Sequence, residues 1–245
     1  MKFRLTIFLI VIALRSTAQD ALIRTSTGWQ YTQYYPNGQI RGIGEYSDSA
    51  HLINNGPLIW FDSAGQRSQY CSFQNLVLSG PDTTWYPNGQ ISITGSWKEG
   101  ERDGPWIGFY PSGKLSGKAM YRKGKASGVE CYNEDGTVNK KIKDFLATPE
   151  YPGGVENFQQ FVERRLNYSR FEIQHHNERT AIIQFKVAID GKTSDFSVKR
   201  STGDTSLDEA AIDVIKKSGK WNPEINGGRI IEVYVSQAIF FRPSQ

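Results

Sequence analysis

The side chains that could bind a metal ion or attack a substrate are few. The chain holds two cysteines and three histidines, and the only adjacent histidines are His175 and His176. Neighbouring side chains point in different directions on a helix or a strand, so this pair is poorly placed to ligate one metal ion. A solvent-exposed loop is the favoured interpretation of the pair, and His51 stands apart from it. The histidines therefore predict no metal site.

A calcium-type loop is the second candidate. Asn133, Asp135 and Thr137 match the alternating oxygen ligands that open such a loop, but its twelfth position is Asp144 rather than glutamate. The same residues also fit a hairpin turn. Neither a G-x-S-x-G sequence nor a phosphate-binding loop is present. We therefore expect no cofactor and no enzyme activity. A hydrolase that uses carboxylates is kept as an alternative, because catalytic carboxylates leave no sequence mark.

A 24-residue period organises the first half of the chain. A fixed period of about 20–50 residues is typical of repeat proteins, in which each unit buries its apolar face against its neighbours. The pattern ends near Lys143, so we predict a repeat domain over residues 19–143 and a different domain over residues 144–245. The period is carried by two series of glycines, Gly56, Gly80, Gly104 and Gly128, and Gly65, Gly89 and Gly113.

Turn sequences recur within this period. Proline presets φ and glycine tolerates the positive φ that tight turns need. Aromatic and β-branched residues alternate on both sides of the turns, which is typical of β-hairpins. We therefore predict a mainly β stack of about five hairpins, with opposite-edge turns at 98–100 and 122–124. The turn sequences lie at residues 35–38, 61–65, 86–89, 110–113 and 132–136.

Residues 35–136 resemble the MORN-repeat family in its bacterial form, most closely between Tyr86 and Tyr121. The resemblance implies a scaffold, and some relatives are described as antitoxins. The tryptophans of the repeats could form a binding stripe, but core packing is favoured, because large aromatics at a fixed place in a repeat are its packing unit. These tryptophans are Trp60, Trp85, Trp97 and Trp106.

The N-terminus predicts export. Basic residues precede an apolar run from Leu5 to Leu14, and small residues follow at Ser16 and Ala18, as in a cleaved signal peptide. We place the signal at residues 1–18 and the mature protein in the periplasm or outside the cell; an uncleaved anchor is the alternative. Removing this segment leaves 26 basic against 25 acidic residues, which gives no support for nucleic-acid binding. No second apolar run is long enough to span a bilayer, so we do not expect an integral membrane protein.

The two cysteines, Cys71 and Cys131, lie 60 residues apart, or two and a half repeats. Hairpins stacked at about 4.8 Å per strand would place them on the order of 20 Å apart. A disulfide needs Cα atoms within about 7 Å. We therefore expect two free, buried thiols, despite the oxidising compartment that export implies.

The second half begins with a helix and a hairpin. Residues 155–166 have helical periodicity, with an apolar side that we predict to be buried. A strand follows over residues 179–189, then an Asp190-Gly191 turn and a second strand through Phe196 and Val198. The residues predicted to face inward are Val155, Phe158, Val162 and Leu166 on the helix, and Ile183, Phe185, Val187 and Ile189 on the strand.

A second helix and a last strand complete the chain. Ser206 as N-cap and Glu209 three residues later predict a capping box. The segment 221–223 is predicted to end the helix, and a last strand covers residues 230–241. Trp221 is predicted to lie buried between this helix and the sheet. The apolar stripe of the helix is Leu207, Ala210, Ala211, Val214 and Ile215.

This helix–hairpin–helix–strand order resembles the C-terminal domain of the TonB family over residues 148–243. The resemblance implies an α+β domain that binds an extended peptide of an outer-membrane or envelope protein by pairing strand to strand. One departure is Ala238, which stands where the family usually has proline. The segments that carry the likeness are 151–154 with Phe158, 185–192, 207–211, 221–223 with 226–227, and Ile239 with Phe241.

The last strand is the candidate partner-binding edge. Its alternation predicts Ile231, Val233 and Val235 inward, and polar residues outward. An unpaired edge would supply main-chain affinity, while outward side chains would supply specificity. A strand buried in mid-sheet is the equally weighted alternative. The outward residues proposed for partner binding are Glu232, Tyr234, Ser236 and Ala238.

Two functions remain open besides the hydrolase. The first is an envelope protein-interaction module with a link to TonB-dependent outer-membrane transport. The second is a repeat-led protein that binds a toxin, an envelope polymer or a lipid, with the C-terminal domain as a docking tag. We doubt that the chain drives transport alone, because it lacks the Pro-rich spacer of an energy transducer.

Overall fold

The computed structural model describes residues 19–166 and 179–241. These residues form two compact units, which meet in the sequence between Arg102 and Asp103. Each unit is described below by itself.

The first unit is an antiparallel β-sheet in which strand order follows sequence order. The exception is β6, which pairs with β5 and lies off the main path. Each strand is therefore joined to its neighbour by a hairpin turn. The strands are β1 (Ala21–Arg24), β2 (Trp29–Tyr34), β3 (Ile40–Tyr46), β4 (Asn54–Phe61), β5 (Arg67–Gln74), β6 (Val77–Leu78), β7 (Gly80–Trp85) and β8 (Ile91–Lys98).

The second unit combines the last repeat strands with an α+β module. In the repeat part, β10 pairs antiparallel with both β9 and β11; these strands are β9 (Glu101–Phe109), β10 (Leu115–Arg122) and β11 (Lys125–Cys131). Two three-stranded sheets follow, ordered β12-β15-β16 and β14-β13-β17. Their elements are β12 (Leu146–Ala147), α1 (Gly154–Arg165), β13 (Arg179–Val187), β14 (Thr193–Arg200), α2 (Thr205–Lys217), β15 (Glu224–Asn226), β16 (Arg229–Ile231) and β17 (Val233–Phe241).

The predicted hairpin turns are confirmed, and all five share one hydrogen-bond pattern. At the third turn the Tyr86 N–H donates to the Gln90 carbonyl at 2.9 Å, and the Gly89 N–H donates to the Tyr86 carbonyl at 2.9 Å. Gly89 has a φ of 81°, so the turn combines a tight reversal with a left-handed glycine, as in a type I turn with a bulge. The equivalent glycines at the other turns, with φ between 81° and 88°, are Gly38, Gly65, Gly113 and Gly136.

The opposite-edge turns are also confirmed. Glu99 and Gly100 have φ of 53° and 81°, and Lys123 and Gly124 have φ of 49° and 70°. Two consecutive residues with positive φ define the type I′ turn, whose twist matches that of the strands it joins.

Replacing Gly89 or Gly113 by valine should destabilise the protein by roughly 1–3 kcal/mol, because a β-branched residue is strained at a φ near 81°. Asparagine tolerates this conformation, so Gly89→Asn is the matched control and should cost much less. Denaturant unfolding measures both. Unchanged midpoints for the two valine variants would contradict the turn assignment.

The repeat tryptophans divide into one buried ring and three half-buried rings. Trp106 is buried, which confirms core packing at that position. Trp60, Trp85 and Trp97 keep part of their surface exposed. A Cβ on Gly42 would lie 2.7 Å from the Trp60 ring, so the absence of a side chain there makes room for the ring.

The core of the α+β module lies between the two helices and one face of the β14-β13-β17 sheet. Its inward residues on β13 are completely buried, as the strand alternation predicted. Trp221 is buried and meets the rings of Phe158 on α1 and Phe185 on β13, at centroid distances of 5.3 and 5.0 Å. The buried cluster comprises Phe158, Val162, Leu166, Ala181, Ile183, Phe185, Val187, Leu207, Ala211, Val214, Ile215, Trp221, Ile239 and Phe241.

Two residues predicted to face this core are exposed instead. Val155 is 57% exposed, because it lies in the first turn of α1, before the buried positions begin. Ile189 is 63% exposed, because β13 ends at Val187 and the chain turns at once. The turn is closed by the Gly191 N–H, which donates to the Ala188 carbonyl at 2.8 Å.

The predicted N-cap of α2 was wrong by two residues. Asp204, not Ser206, is the N-cap, and its carboxylate accepts from the backbone N–H groups of Ser206 and Leu207. An aspartate and a serine cap helices about equally well, so sequence alone did not distinguish them. The end was also misplaced: α2 stops at Lys217, and Gly219 turns the chain with a φ of 82°, ahead of the predicted stop at 221–223.

Asp204→Ala is therefore expected to lower the thermal midpoint more than Ser206→Ala does. Hydrogen bonds from Ser206 hold the pKa of the Asp204 carboxyl below its usual range. The stabilisation is thus fully present above the unfolded pKa of about 3.9 and is lost as pH falls through the lower folded pKa. Melting curves from pH 2 to 7 test this. The difference in thermal midpoint between wild type and Asp204→Ala should disappear at the acidic end of this range. A difference independent of pH would contradict the capping role.

Candidate functional site

The strand β17 forms one edge of the β14-β13-β17 sheet. It pairs with β13 over nine consecutive residues without a register shift, from Arg179 opposite Phe241 to Val187 opposite Val233. Within residues 19–166 and 179–241, no strand pairs with its other side. Because backbone groups of alternate residues point to opposite sides of a strand, half of the N–H and C=O groups of β17 face this open side.

The side chains of β17 alternate between the core and the outer face. Ile239 and Phe241 are buried, whereas Tyr234 and Ser236 are exposed and Ala238 is half-buried. The predicted faces are thus observed along β17. The predicted single strand over 230–241 is wrong, however, because the strand is interrupted at Glu232. β16 belongs to the β12-β15-β16 sheet, and β17 belongs to the β14-β13-β17 sheet.

The other edge of the same sheet, β14, is irregular. Its pairing with β13 shifts register twice, and Asp195, its third residue, has a φ of 55°. Bulges and bends of this kind obstruct the addition of a further strand, whereas a straight edge favours it. Of the two edges, β17 is therefore the better template for an extended peptide.

A polar cluster lies on the outer face at one end of β17. The Lys186 ammonium is 3.3 Å from the Asp195 carboxylate and 3.9 Å from that of Glu232. The Tyr234 hydroxyl donates to Asp195 at 3.1 Å. The hydrogen bond with Asp195, followed by the charge of Glu232, raises the pKa of Lys186, so this side chain stays charged at neutral pH. Two predicted site residues, Glu232 and Tyr234, are thus brought together here.

The turn before β16 is seated on the repeat strands of the second unit. Gly108 and Gly117 face each other on β9 and β10, and the turn at Gly227 and Gly228 lies directly on them. A Cβ on Gly108 would fall 2.2 Å from the Gly227 carbonyl oxygen. The buried Ser116 hydroxyl donates to that same oxygen at 2.6 Å. We call this close contact of Gly108 and Gly117 with the Gly227 turn the glycine seat. Since β16 leads directly to Glu232 and β17, the glycine seat holds the chain just before the open edge begins.

The remaining candidates in the described part of the chain do not converge on one chemical site. Both cysteines are buried free thiols, as predicted, and burial, followed by the charge of Asp82, raises the pKa of Cys71 to about 11. Burial, followed by the charge of Asp144, likewise raises the pKa of Cys131. Thiols with raised pKa values are poor nucleophiles at neutral pH. No group of His, Cys, Asp and Glu side chains that could hold a metal ion occurs in the described part of the chain.

The individual polar candidates have local partners. The Asp135 carboxylate accepts from the Thr137 backbone N–H at 2.9 Å and from its hydroxyl at 2.6 Å, so the calcium-like segment is a hairpin turn. His51 stacks on Tyr31 with centroids 4.1 Å apart. His175 and His176 lie outside the described residues.

Sequence reasoning missed the two partners of the site that come from neighbouring strands. Neither Lys186 nor Asp195 was singled out from the sequence. Both are ordinary charged residues in their own segments. Nothing in the sequence distinguishes them, because their proximity follows from the pairing of β13 with β14 and β17.

Two family models match the chain where the likeness was predicted. The model of the Gram-negative bacterial TonB protein C-terminal matches residues 164–243, and the model of the MORN repeat variant matches residues 30–48 and 102–123. The architecture is therefore MORN-type repeats followed by a TonB-like C-terminal region, and the mainly β plus α+β fold class is confirmed. A TonB-like C-terminal region supports an envelope protein-interaction role.

Other comparisons add little. No curated protein matches the chain significantly. One matching solved structure is a crystal structure of the GtfA/B complex bound to UDP and GlcNAc, with 9% identity, a TM-score of 0.22, and coverage of 51% of this chain and 24% of that chain. The chain thus spans about a quarter of that protein's length, and a similarity this slight carries no structural argument. Across residues 19–166 and 179–241, neither helix has the length and apolar composition needed to cross a bilayer.

Proposed function

We propose that this chain is a non-enzymatic envelope protein that binds an extended peptide segment of a partner along β17. The observation that carries the proposal is the edge position of β17, which pairs with β13 without a register shift and has no strand on its other side within the described residues. A peptide that adds to such an edge gains main-chain hydrogen bonds along its length, and side chains on the outer face add specificity. The TonB-like region supports an outer-membrane or envelope protein as the source of the peptide.

The repeats supply a scaffold in this proposal. The glycine seat joins the last repeat strands to the module that carries β17, and the family match for the repeats extends through residues 102–123. A fragment cut between residues 143 and 144 would remove Gly108 and Gly117 from beneath the Gly227 turn. Binding is therefore best measured on the full chain, with point variants in place of fragments.

The test uses two matched serines that flank one residue of β13. Ser236 on β17 and Ser197 on β14 both pair with Gln184, and both are exposed. Each is replaced by cysteine and labelled with an environment-sensitive fluorophore. The native thiols are buried, and Cys71 has its pKa raised to about 11, so the added cysteine is labelled selectively. Peptides that bind the unlabelled chain are first selected from a displayed library of random dodecapeptides.

A selected peptide should change the emission of the label at position 236 and leave the label at position 197 unchanged. A response at position 197 alone would place binding on the wrong edge and overturn the proposal. Peptides that bind without affecting either label would favour the repeat-led alternative, in which the half-buried repeat tryptophans form the binding surface. If the library yields no enriched peptide, the proposal that β17 binds a peptide is also overturned.

Export is the other element of the proposal. We expect the mature protein to begin near Gln19, because the apolar segment is short and ends in small residues. Intact mass of protein isolated from the native host checks this, with the periplasmic and membrane fractions compared. A full-length chain confined to the inner-membrane fraction would contradict cleavage and support the anchor alternative.

A further inference from the structure

We infer that the segment bound along β17 carries a basic side chain near Glu232 and an apolar side chain near Phe240. This inference rests on the proposed function and adds the chemistry of the partner. It follows from the unequal charge at the two ends of β17. The outer face is acidic at one end of β17 and apolar at the other. The side chains of an added strand would lie beside those of β17 on this face.

At the first end, acidic charge is in excess. One cation, Lys186, faces two carboxylates, those of Asp195 and Glu232. Asp195 is the better satisfied of the two, because it also accepts the Tyr234 hydroxyl. Among the described residues, the one ion pair of Glu232 is the long 3.9 Å contact with Lys186, and its side chain is 62% exposed. Glu232 is therefore the carboxylate available to a cation on a bound peptide.

The position of Tyr234 keeps that carboxylate accessible. Tyr234 is on β17, yet its hydroxyl reaches Asp195 on β14, so its side chain extends across β13 and away from the open edge. A neighbouring strand would thus meet Glu232 without the tyrosine ring lying between them. A long lysine or arginine side chain suits this place, since its stem can pack along the strand while its charge reaches Glu232.

At the second end, the described strands β14, β13 and β17 carry one arginine on the outer face and no acidic side chain. Ala238 lies opposite Ile182, and Phe240, which is 49% exposed, lies opposite Thr180. Arg200 on β14 pairs with Ile182 from the far side. Arg179 belongs to the other face, because it pairs with the buried Phe241, and its charge is partly offset by Asp204. A basic side chain would be repelled here, whereas an apolar one could cover exposed surface of the phenylalanine ring.

The spacing defines the length of the segment. Glu232 and Phe240 are eight residues apart, which corresponds to about 26 Å in an extended chain. A peptide of about nine residues in strand conformation would satisfy both ends. The ligand is therefore an extended peptide with a basic residue and an apolar residue separated by most of that length. A compact cation could not contact both ends at once.

The experiment compares peptide selection by wild type and by Glu232→Lys, with the full chain and a random dodecapeptide library. Wild type should enrich peptides with lysine or arginine toward one end and valine, leucine, isoleucine or phenylalanine toward the other. Glu232→Lys should select aspartate or glutamate in place of the basic residue. A synthetic wild-type peptide should bind Glu232→Lys about three- to tenfold more weakly, and its charge-reversed form should bind that variant better. The preference should weaken at high salt.

Glu209→Lys is the matched control, since it makes the same charge change on α2, which packs on the other face of the sheet. It should leave selection unchanged. Peptides that bind the β17 edge with no charge preference, or that lose affinity equally in both lysine variants, would overturn this inference and leave the proposed function standing. If no selected peptide affects the label at Ser236, both fail.

Discussion

Trp221→Ala is expected to destabilise the second unit by about 3–5 kcal/mol, enough to unfold a domain of its size. Trp221 is 4% exposed, and its ring lies among those of Tyr151, Phe158 and Phe185. Its indole N–H donates to the Ser218 hydroxyl at 2.8 Å, which ties the core to the end of α2. Alanine would remove these ring contacts together and leave a large cavity.

Trp221→Phe is the conservative control for this prediction. It keeps an aromatic ring in the core but loses the hydrogen bond to Ser218, so it should cost clearly less than alanine. Denaturant unfolding of the full chain, followed by amide resonances of β13, measures both variants. A Trp221→Ala protein with wild-type stability would contradict the core assignment.

Gly108→Val is expected to lower the free energy of unfolding by about 3 kcal/mol. The reason is that it disrupts the contact between the repeat strands and the Gly227 turn. The first atom of any side chain at Gly108 would lie 2.2 Å from the Gly227 carbonyl oxygen and 2.7 Å from its Cα. Both are backbone atoms, so no rotamer change relieves the clash. The turn must move, and the buried hydrogen bond from Ser116 to Gly227 must break or lengthen.

Ile107→Val is the matched control, because it places valine at the neighbouring residue of β9 on the opposite face of the strand. It should cost about 1 kcal/mol or less. Hydrogen exchange at Gly228, whose N–H donates to the Phe145 carbonyl at 2.9 Å, should accelerate only in Gly108→Val. Equal destabilisation by the two variants would show that the glycine seat contributes nothing specific.

The parts of this fold that were predictable are those set by local sequence. The turns at Gly89 and Gly113 require positive φ whatever surrounds them, and a proline two residues before each glycine marks them in the sequence. The buried faces of β13 and α2 follow from periods of 2 and 3.6 residues. The burial of Trp221 followed from its place after an amphipathic helix.

What could not be predicted depends on contacts between distant segments. Gly108 and Gly227 are 119 residues apart, and neither position signals that two backbones meet there. Alternation along β17 indicated which side chains face outward, but it could not indicate that β17 lies at an edge. Glu232 was predicted at the site from its place in the strand, whereas Lys186 and Asp195 joined it only through strand order.

The nine unshifted pairs between β13 and β17 also determine how the sheet would respond to tension. A partner paired along β17 and pulled parallel to the strand loads all the ladder hydrogen bonds at once, in shear. Pulling at right angles to the strand would instead open the bonds one after another, like a zipper. The pairing between β17 and a bound partner would therefore be mechanically strong along the strand axis and weak across it. Such a partner would resist a load along the strand and still be released by peeling from one end.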